Sequence, residues 1–157
     1  MDLKELYQEI ILDHGKNPRN KKKCKDFNKD AEGHNPLCGD KVHIFLKLNK
    51  EKKVEDISFE GEGCAISIAS ASIMTETIKG KEFNVAKKIL EDFLNMLKEG
   101  SKLKTNSLSE DQNTTMMSLS GVKKFPMRVK CATLAWHTFM HAAEGKKEIV
   151  NTEKVNQ

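Results

Sequence analysis

The sequence predicts an α+β fold in which a small antiparallel β-sheet is covered by helices. Apolar residues recur at helical spacing in four segments of the chain, which indicates amphipathic or buried helices. Between the first two of these segments, apolar and polar residues alternate, which is typical of half-buried strands. The 157 residues suit a single domain with a sizeable core. We expect that domain to span residues 1–145, with an insertion at 100–121 and a flexible tail at 146–157.

The helices are predicted from apolar spacing together with their end signals. Leu3, Leu6 and Ile10 define the first helix, and Asn84 is a good N-cap for the third. Pro126 stands at a favoured first position of the last helix. The four predicted helices cover residues 2–14, 65 to near Gly80, 84 to near Gly100, and 126 to near Gly145.

Two strands are predicted between the first two helices, and two segments are predicted to lack regular structure. The strands cover residues 41–48 and 54–60 and are joined by a turn, so they should form a hairpin. Residues 15–36 carry charge, Gly, Pro and Asn without a period and predict an extended loop. Residues 100–121 are rich in Ser, Thr and Asn and predict a mobile insertion with one short helical turn at most.

Composition and charge argue against nucleic acid binding, membrane binding and secretion. The chain has 27 basic and 23 acidic residues, a net charge of +4, with both signs interleaved. Its most basic stretch, KKKCK at 21–25, lacks the aromatic side chains of single-strand binders, so we expect a solvated loop and no nucleic acid partner. No run approaches the ~20 apolar residues that cross a bilayer, so we expect no membrane partner. The start MDLKELYQEI does not read as a secretory signal, which predicts a cytoplasmic protein.

The four cysteines are the main functional signal, because in an unexported chain they are more plausibly ligands or reactive thiols than disulfides. Cys38 and Asp40 lie two apart, at the loop that opens the first predicted strand, and residues i and i+2 can aim at one point. Cys64 begins a helix, where the helix dipole favours a thiolate. Cys131 lies early in the last helix, with Arg128 one turn before it. These groups could converge at one end of the sheet.

Three thiolates and one carboxylate suit tetrahedral Zn²⁺. They also suit iron or an iron-sulfur cluster, since thiolate is the normal cluster ligand. No CxxC pair is present, and the spacings match no zinc-finger rule. The residues alone therefore leave a third interpretation open, in which separate buried cysteines behave as small hydrophobic side chains.

Four segments carry a family resemblance: DHGKNPRN (13–20), NPLCGD (35–40), FEGEGCAISIASASIMTE (59–76) and FPMRVKCATLAW (125–136). Together they resemble the SufU branch of the IscU/NifU N-terminal family. The resemblance implies an IscU/NifU-like fold and a zinc-bound, sulfurtransferase-like acceptor of persulfide sulfur. The implied partners are a PLP-dependent, SufS-like cysteine desulfurase and downstream iron-sulfur assembly proteins. By position, the residues that match the family's metal ligands are Cys38, Asp40, Cys64 and Cys131.

The resemblance also assigns roles within this set. Cys38 matches the family's sulfur-accepting cysteine, and Arg128 matches a functional arginine of the SufU branch. The scaffold branch has a His directly before the third cysteine, where this chain has Lys130, and an LPPVK-like motif where this chain has KFPMRVK. These differences favour a zinc-dependent sulfur carrier. Two alternatives are a scaffold for a [2Fe–2S] cluster on the same ligands and a non-catalytic zinc-binding interaction domain.

Three further residues are expected to lie outside the site. Cys24 stands in the basic loop and predicts an exposed or structural thiol without a metal. His137 and His141 are four apart on the last helix, and we interpret them as a surface pair, although that spacing could bind a metal.

Overall fold

The computed structural model describes residues 2–104 and 106–153, and it confirms the α+β class. Five α-helices and four strands are present among these residues, with one 3₁₀ helix at Ser118–Lys124. The helices are α1 (Leu3–Lys16), α2 (Ala65–Ile78), α3 (Phe83–Glu99), α4 (Glu110–Met117) and α5 (Pro126–Ala143). The strands are β1 (Lys29–Asn35), β2 (Asp40–Leu48), β3 (Val54–Glu62) and β4 (Val150–Asn151).

The four strands form one sheet in the order β3-β2-β1-β4. The β1–β2 and β2–β3 pairs are antiparallel, as predicted, whereas the two-residue β4 runs parallel to β1. The register places Asn35 opposite Asp40 at the turn between β1 and β2. It also places Gly33 opposite Val150, so the C-terminal segment lies beside the end of β1 that leads into that turn.

Strand β1 was not predicted, because its segment was interpreted as part of an extended loop. The strand does alternate, but its inward residues are Ala31, Gly33 and Asn35, so no apolar period marks it. A side chain on Gly33 would collide with Thr138 and Leu134 of α5. The small inward residues therefore let α5 approach the sheet closely.

The segment expected to be a mobile insertion contributes to the core. Ser109 and Gln112 form a capping box at the start of α4, with the Ser109 hydroxyl accepting from the Gln112 N–H at 3.1 Å. Met116 and Leu119 are fully buried. The few apolar residues of this segment therefore pack into the core. The polar composition of the segment gave no indication of these contacts.

Part of the expected flexible tail is also structured. Val150 is buried, and Thr152 is only 1% exposed. The Thr152 N–H donates to the His34 carbonyl at 3.1 Å, which extends the pairing with β1. Residues 154–157 of that predicted tail lie outside the described residues.

Helices α2 and α5 connect the core to the site. The polar residues of α2 that are buried are small, including Ser67, Ser70 and Ser72. The Ser70 hydroxyl donates to the Ala132 carbonyl of α5 at 2.5 Å and accepts from the Trp136 indole at 3.1 Å. These bonds fix α5 against α2 at Ala132, directly after Cys131, and at Trp136. Among the helices of the described residues, none has the length and apolarity that crossing a membrane requires.

Candidate metal centre

Cys38, Asp40 and Cys131 come together at the end of the sheet where β1 turns into β2. Cys38 lies in the turn, Asp40 is the first residue of β2, and Cys131 lies in α5. One ligand atom from each of the three lies within 4.8 Å of the other two. Cys131 and Asp40 are buried, while Cys38 is half-buried on the open side. The predicted convergence of these three residues is thus present in the structure.

Asp40 is held by two hydrogen bonds from different elements. Its Oδ1 accepts the backbone N–H of Cys64 at 2.9 Å, and its Oδ2 accepts the Asn35 side-chain amide at 3.0 Å. Gly63 packs directly on the carboxylate, so that a Cβ there would collide with Oδ1. The carboxylate therefore has one defined orientation, and the start of α2 is tied to it.

Asn35 is a site residue that the sequence analysis did not single out. It is completely buried. Its amide donates to Asp40 and also approaches Cys131 Sγ at 3.4 Å, while its carbonyl oxygen accepts the Thr152 hydroxyl at 3.1 Å. The only sequence signal was its place in the NPLCGD segment, three residues before Cys38.

Cys64 lies next to Cys131 but outside the three-residue group. The Cys131 thiol donates a hydrogen bond to the Cys64 sulfur, which is the main reason that the pKa of Cys64 falls to about 6. Backbone N–H groups of Ser67 and Ile66, in the first turn of α2, lower that pKa further. The same thiol pair raises the pKa of Cys131, and burial raises it further. The pair therefore releases its first proton readily and keeps its second.

Arg128 faces these sulfurs from the solvent side. The thiolate charge of Cys64 is the largest contribution that raises the pKa of the Arg128 guanidinium, followed by a hydrogen bond to Cys131 and charge from Cys131 and Cys38. Its side chain is exposed and lies one turn before Cys131 on α5. A permanently charged donor is thus available to anionic sulfur at this site.

The donor set fits a thiophilic divalent metal. Cys38, Asp40 and Cys131 offer two sulfurs and one oxygen, and Cys64 offers a third sulfur beside Cys131. Thiolate and carboxylate are ligands that Zn²⁺ accepts in tetrahedral sites. The amide of Asn35 supplies the hydrogen bonding to ligands that is typical around protein metal sites.

Three residues were expected to lie outside the site: Cys24, His137 and His141. Cys24 is buried, with its thiol next to Ser58, and burial is the main cause that raises its pKa. His137 is half-buried, and its buried Nε2 has no hydrogen-bond partner among the described residues. His141 Nε2 lies 3.9 Å from Glu148. The cluster of metal-ligating side chains found in the described part of the chain includes none of them.

Two proteins of similar sequence have names that refer to zinc, sulfur transfer or iron-sulfur cluster assembly. The chain is 43% identical over 135 residues to a Bacillus subtilis protein named zinc-dependent sulfurtransferase SufU, covering 86% of this chain and 87% of that protein. It is 36% identical over 140 residues to a Streptococcus pyogenes protein named iron-sulfur cluster assembly scaffold protein IscU, covering 89% of this chain and 84% of that protein.

Solved structures show the same architecture. A candidate iron-sulfur cluster assembly scaffold for the SUF system from Fervidobacterium islandicum superposes with a TM-score of 0.77 at 35% identity, covering 88% of this chain and 97% of that one. The N-terminal part of a NifU-like protein from Brucella abortus, at 21% identity and a TM-score of 0.78, shares the fold, with 90% of this chain and 94% of that one covered.

The sequence matches the NifU-like N-terminal domain over residues 6–132, which confirms the predicted resemblance. That span contains all four residues predicted as ligands: Cys38, Asp40, Cys64 and Cys131. The chain belongs to the family of NifU-like N-terminal domains, a family of iron-sulfur cluster assembly proteins that includes SufU.

Proposed function

We propose that this protein is a zinc-bound acceptor of persulfide sulfur, which takes sulfur from a PLP-dependent cysteine desulfurase for iron-sulfur cluster assembly. The observation that carries the proposal is the meeting of Cys38, Asp40 and Cys131 within 4.8 Å, beside the Cys64 thiol. Further support comes from the relative named zinc-dependent sulfurtransferase, to which this chain is 43% identical.

The proposed metal ligands are Cys38, Asp40, Cys64 and Cys131. Cys64 hydrogen-bonds Cys131, which places its sulfur beside the group formed by the other three. Zinc bound here would keep its cysteine ligands as thiolates near neutral pH. The carboxylate is the harder ligand of the set and is pre-oriented by its hydrogen bonds from Cys64 and Asn35.

Cys38 is the proposed sulfur acceptor because it is partly exposed and lies outside the helices and strands. It lies in a turn after Pro36 and before Gly39, whereas Cys131 is buried within α5. The Cys38 thiolate attacks the outer sulfur of the desulfurase persulfide. The S–S bond of that persulfide breaks, the desulfurase thiolate leaves, and a new S–S bond forms on Cys38. No electron donor is needed, since the sulfane sulfur is only transferred.

Arg128 is the proposed partner of the anionic sulfur during this exchange. Its guanidinium already faces the thiols of Cys64, Cys131 and Cys38. A cation beside a thiolate stabilises it and lowers the cost of keeping it deprotonated. Because the side chain is exposed, it can follow the sulfur as Cys38 changes from thiolate to persulfide.

The desulfurase is proposed to dock over the open side of the centre. Three exposed apolar side chains stand next to the reactive residues in the chain: Leu37, Phe125 and Met127 are 56%, 59% and 53% exposed. Leu37 adjoins Cys38, and Met127 adjoins Arg128. Exposed apolar side chains rimmed by polar ones are typical of protein interaction sites, so a partner that covers them would also enclose the transfer.

The second candidate function is a scaffold that holds a [2Fe–2S] cluster on the same ligands, supported by the 36% identity to a protein named as a scaffold. The residue directly before Cys131 favours the proposed sulfur acceptor over the scaffold. Lys130 occupies the position where the scaffold branch has a His, and its ammonium pairs with Glu153 at 2.8 Å. It therefore adds no ligand to the centre.

Metal analysis tests the proposed function. Protein purified anaerobically under reducing conditions should hold about one zinc per chain, and a strong chelator should lower its melting temperature, because a closed four-ligand site contributes folding energy. Cys131→Ser should lose most of the metal. Iron with cluster absorption in fresh protein would favour the scaffold instead, and wild-type protein with no metal and no response to chelator would contradict both.

A further inference from the structure

A continuous chain of side-chain hydrogen bonds leads from the C-terminal segment to two of the proposed metal ligands. The Thr152 hydroxyl donates to Asn35 Oδ1 at 3.1 Å. The Asn35 amide group in turn donates to Asp40 Oδ2 at 3.0 Å and approaches Cys131 Sγ at 3.4 Å. Thr152 is 1% exposed, and Asn35 and Cys131 are completely buried.

The chain of bonds has a direction that follows from donor and acceptor chemistry. Asp40 and Cys131, as metal ligands, only accept hydrogen bonds, so the Asn35 amide must present its NH₂ group to them. Its carbonyl oxygen then faces the C-terminal segment, where the Thr152 hydroxyl is the donor that satisfies it. Without that donor, the buried carbonyl would be unpaired and the preference for the correct amide orientation would weaken.

The backbone around Thr152 is held in place independently of this bond. Strand β4 pairs with β1 at Gly33 and His34. The Thr152 N–H continues that pairing to the His34 carbonyl. Glu153 reaches α5 through its 2.8 Å ion pair with Lys130, the residue directly before Cys131.

We propose that Thr152 is a positioning residue of the metal centre: the C-terminal segment Val150–Glu153 fixes Asn35, and through Asn35 it fixes Asp40 and Cys131. This inference rests on the metal centre proposed above. The segment lies beyond residues 6–132, over which the family matches. The ligand geometry of this protein therefore depends on a part of the chain that the family match does not include.

Zinc affinity and cobalt spectra of Thr152 variants of the full chain test this role. Thr152→Val keeps the shape and removes the hydroxyl, and Thr152→Ser restores the donor. The matched control is Thr138→Val, which also removes a completely buried threonine hydroxyl, but one that donates to Leu134 within α5. Cobalt(II) in place of zinc reports the arrangement of its ligands through its visible absorption.

Thr152→Val should weaken zinc binding about tenfold, in the range known for residues that orient metal ligands, and should alter the cobalt spectrum. Thr152→Ser and Thr138→Val should match wild type in both measurements, although Thr138→Val loses stability. The inference would be overturned if the zinc-binding curve and the cobalt spectrum of Thr152→Val superimposed on those of wild type. Equal losses of zinc affinity in all three variants would overturn it as well. Wild-type protein that binds neither metal would overturn the metal centre itself and the inference with it.

Discussion

Cys24 and Cys131 show that burial alone does not define a functional cysteine. Both are buried. The Cys131 thiol has Cys64, Asp40 and Cys38 around it, all of them able to bind a metal. Cys24 has Ser58 beside it, with the carboxylate of Asp56 near enough to raise its pKa. Its neighbours therefore indicate a structural thiol, held mainly in the protonated form.

Cys24→Ser should leave the metal content unchanged and cost about 1 kcal/mol of stability, because a hydroxyl replaces a less polar thiol in a buried place. Zinc analysis and denaturant unfolding of the variant measure the two effects. Cys131→Ser is the comparison, since the same exchange there should remove the metal. A loss of zinc in Cys24→Ser as large as in Cys131→Ser would contradict the assignment of the site.

Three of the four residues predicted as metal ligands lie together in the structure, whereas the residues that hold them in place were not predicted. Cys38, Asp40 and Cys131 were identified from residue type and family resemblance, and the structure brings them together. Asn35 and Thr152 were not identified, because an amide and a hydroxyl carry no metal-binding signal of their own. They are 117 positions apart in the chain, and only the pairing of β1 with β4 brings them into contact.

At the scale of elements, the junction between β3 and α2 contacts the Asp40 carboxylate through two successive residues, Gly63 and Cys64. Gly63 has a φ of 156°, in the region that favours glycine, and a Cβ there would collide with the Asp40 carboxylate. The next residue, Cys64, is the N-cap of α2 and donates its N–H to that same carboxylate. The junction thus ties the positions of two proposed ligands, Asp40 and Cys64, to each other.

Gly63→Ala should weaken zinc binding at least tenfold, since Asp40 must move to accommodate the methyl group. It should also destabilise the fold by about 1–3 kcal/mol through backbone strain. The control is Gly80→Ala, where φ is 83° and no heavy atom lies within 4 Å of the added Cβ. It should lose stability and keep its zinc affinity. Equal affinities of the two variants would show that the contact with Asp40 does not matter.

Prediction of the elements depended on whether apolar residues marked their buried faces. Four of the five helices of the described residues and the β2–β3 hairpin have such faces and were predicted close to their observed bounds. Strand β1 buries Ala31, Gly33 and Asn35, so its inward face carries no hydrophobic signal. Helix α4 was missed for another reason: the capping box of Ser109 and Gln112 is readable in the sequence, but the surrounding polar composition outweighed it.

At the scale of the whole molecule, histidines away from the centre link stability to pH. Burial, assisted by the Arg19 charge, lowers the pKa of His14 to about 4. Burial, assisted by the His141 charge, lowers the pKa of His137 to about 4. In the unfolded chain both titrate near ~6.5. Between these values the unfolded state binds more protons, so the free energy of unfolding falls as the pH drops from about 6.5 towards 4.

The double variant His14→Gln, His137→Gln should therefore show a flatter loss of stability between pH 7 and 4 than the wild type. Urea unfolding at several pH values measures the slope, which for two histidines amounts to roughly 2–3 kcal/mol per pH unit at most. Chelator and reductant in every sample remove the pH dependence of metal binding. Parallel slopes for the two proteins would show that these histidines are not the source of the acid sensitivity.

The fold as a whole supplies the proposed ligands from three separate parts of the chain. Cys38 and Asp40 come from the β1–β2 turn, Cys64 from the start of α2, and Cys131 from α5. Only the turn is unsupported by a helix, and it carries the half-buried Cys38. The proposed ligands Cys64 and Cys131 thus lie at or within helices, whereas Cys38 lies in a turn, which is the arrangement that the proposed sulfur transfer needs.

Mapping the transferred sulfur tests this account most directly. The protein is incubated with a SufS-type cysteine desulfurase and cysteine, alkylated under conditions that preserve persulfides, and analysed by peptide mass spectrometry. The account predicts one added sulfur on the peptide that contains Cys38, and neither added sulfur nor desulfurase stimulation in Cys38→Ser. Added sulfur on Cys24, Cys64 or Cys131, or full stimulation by Cys38→Ser, would contradict it.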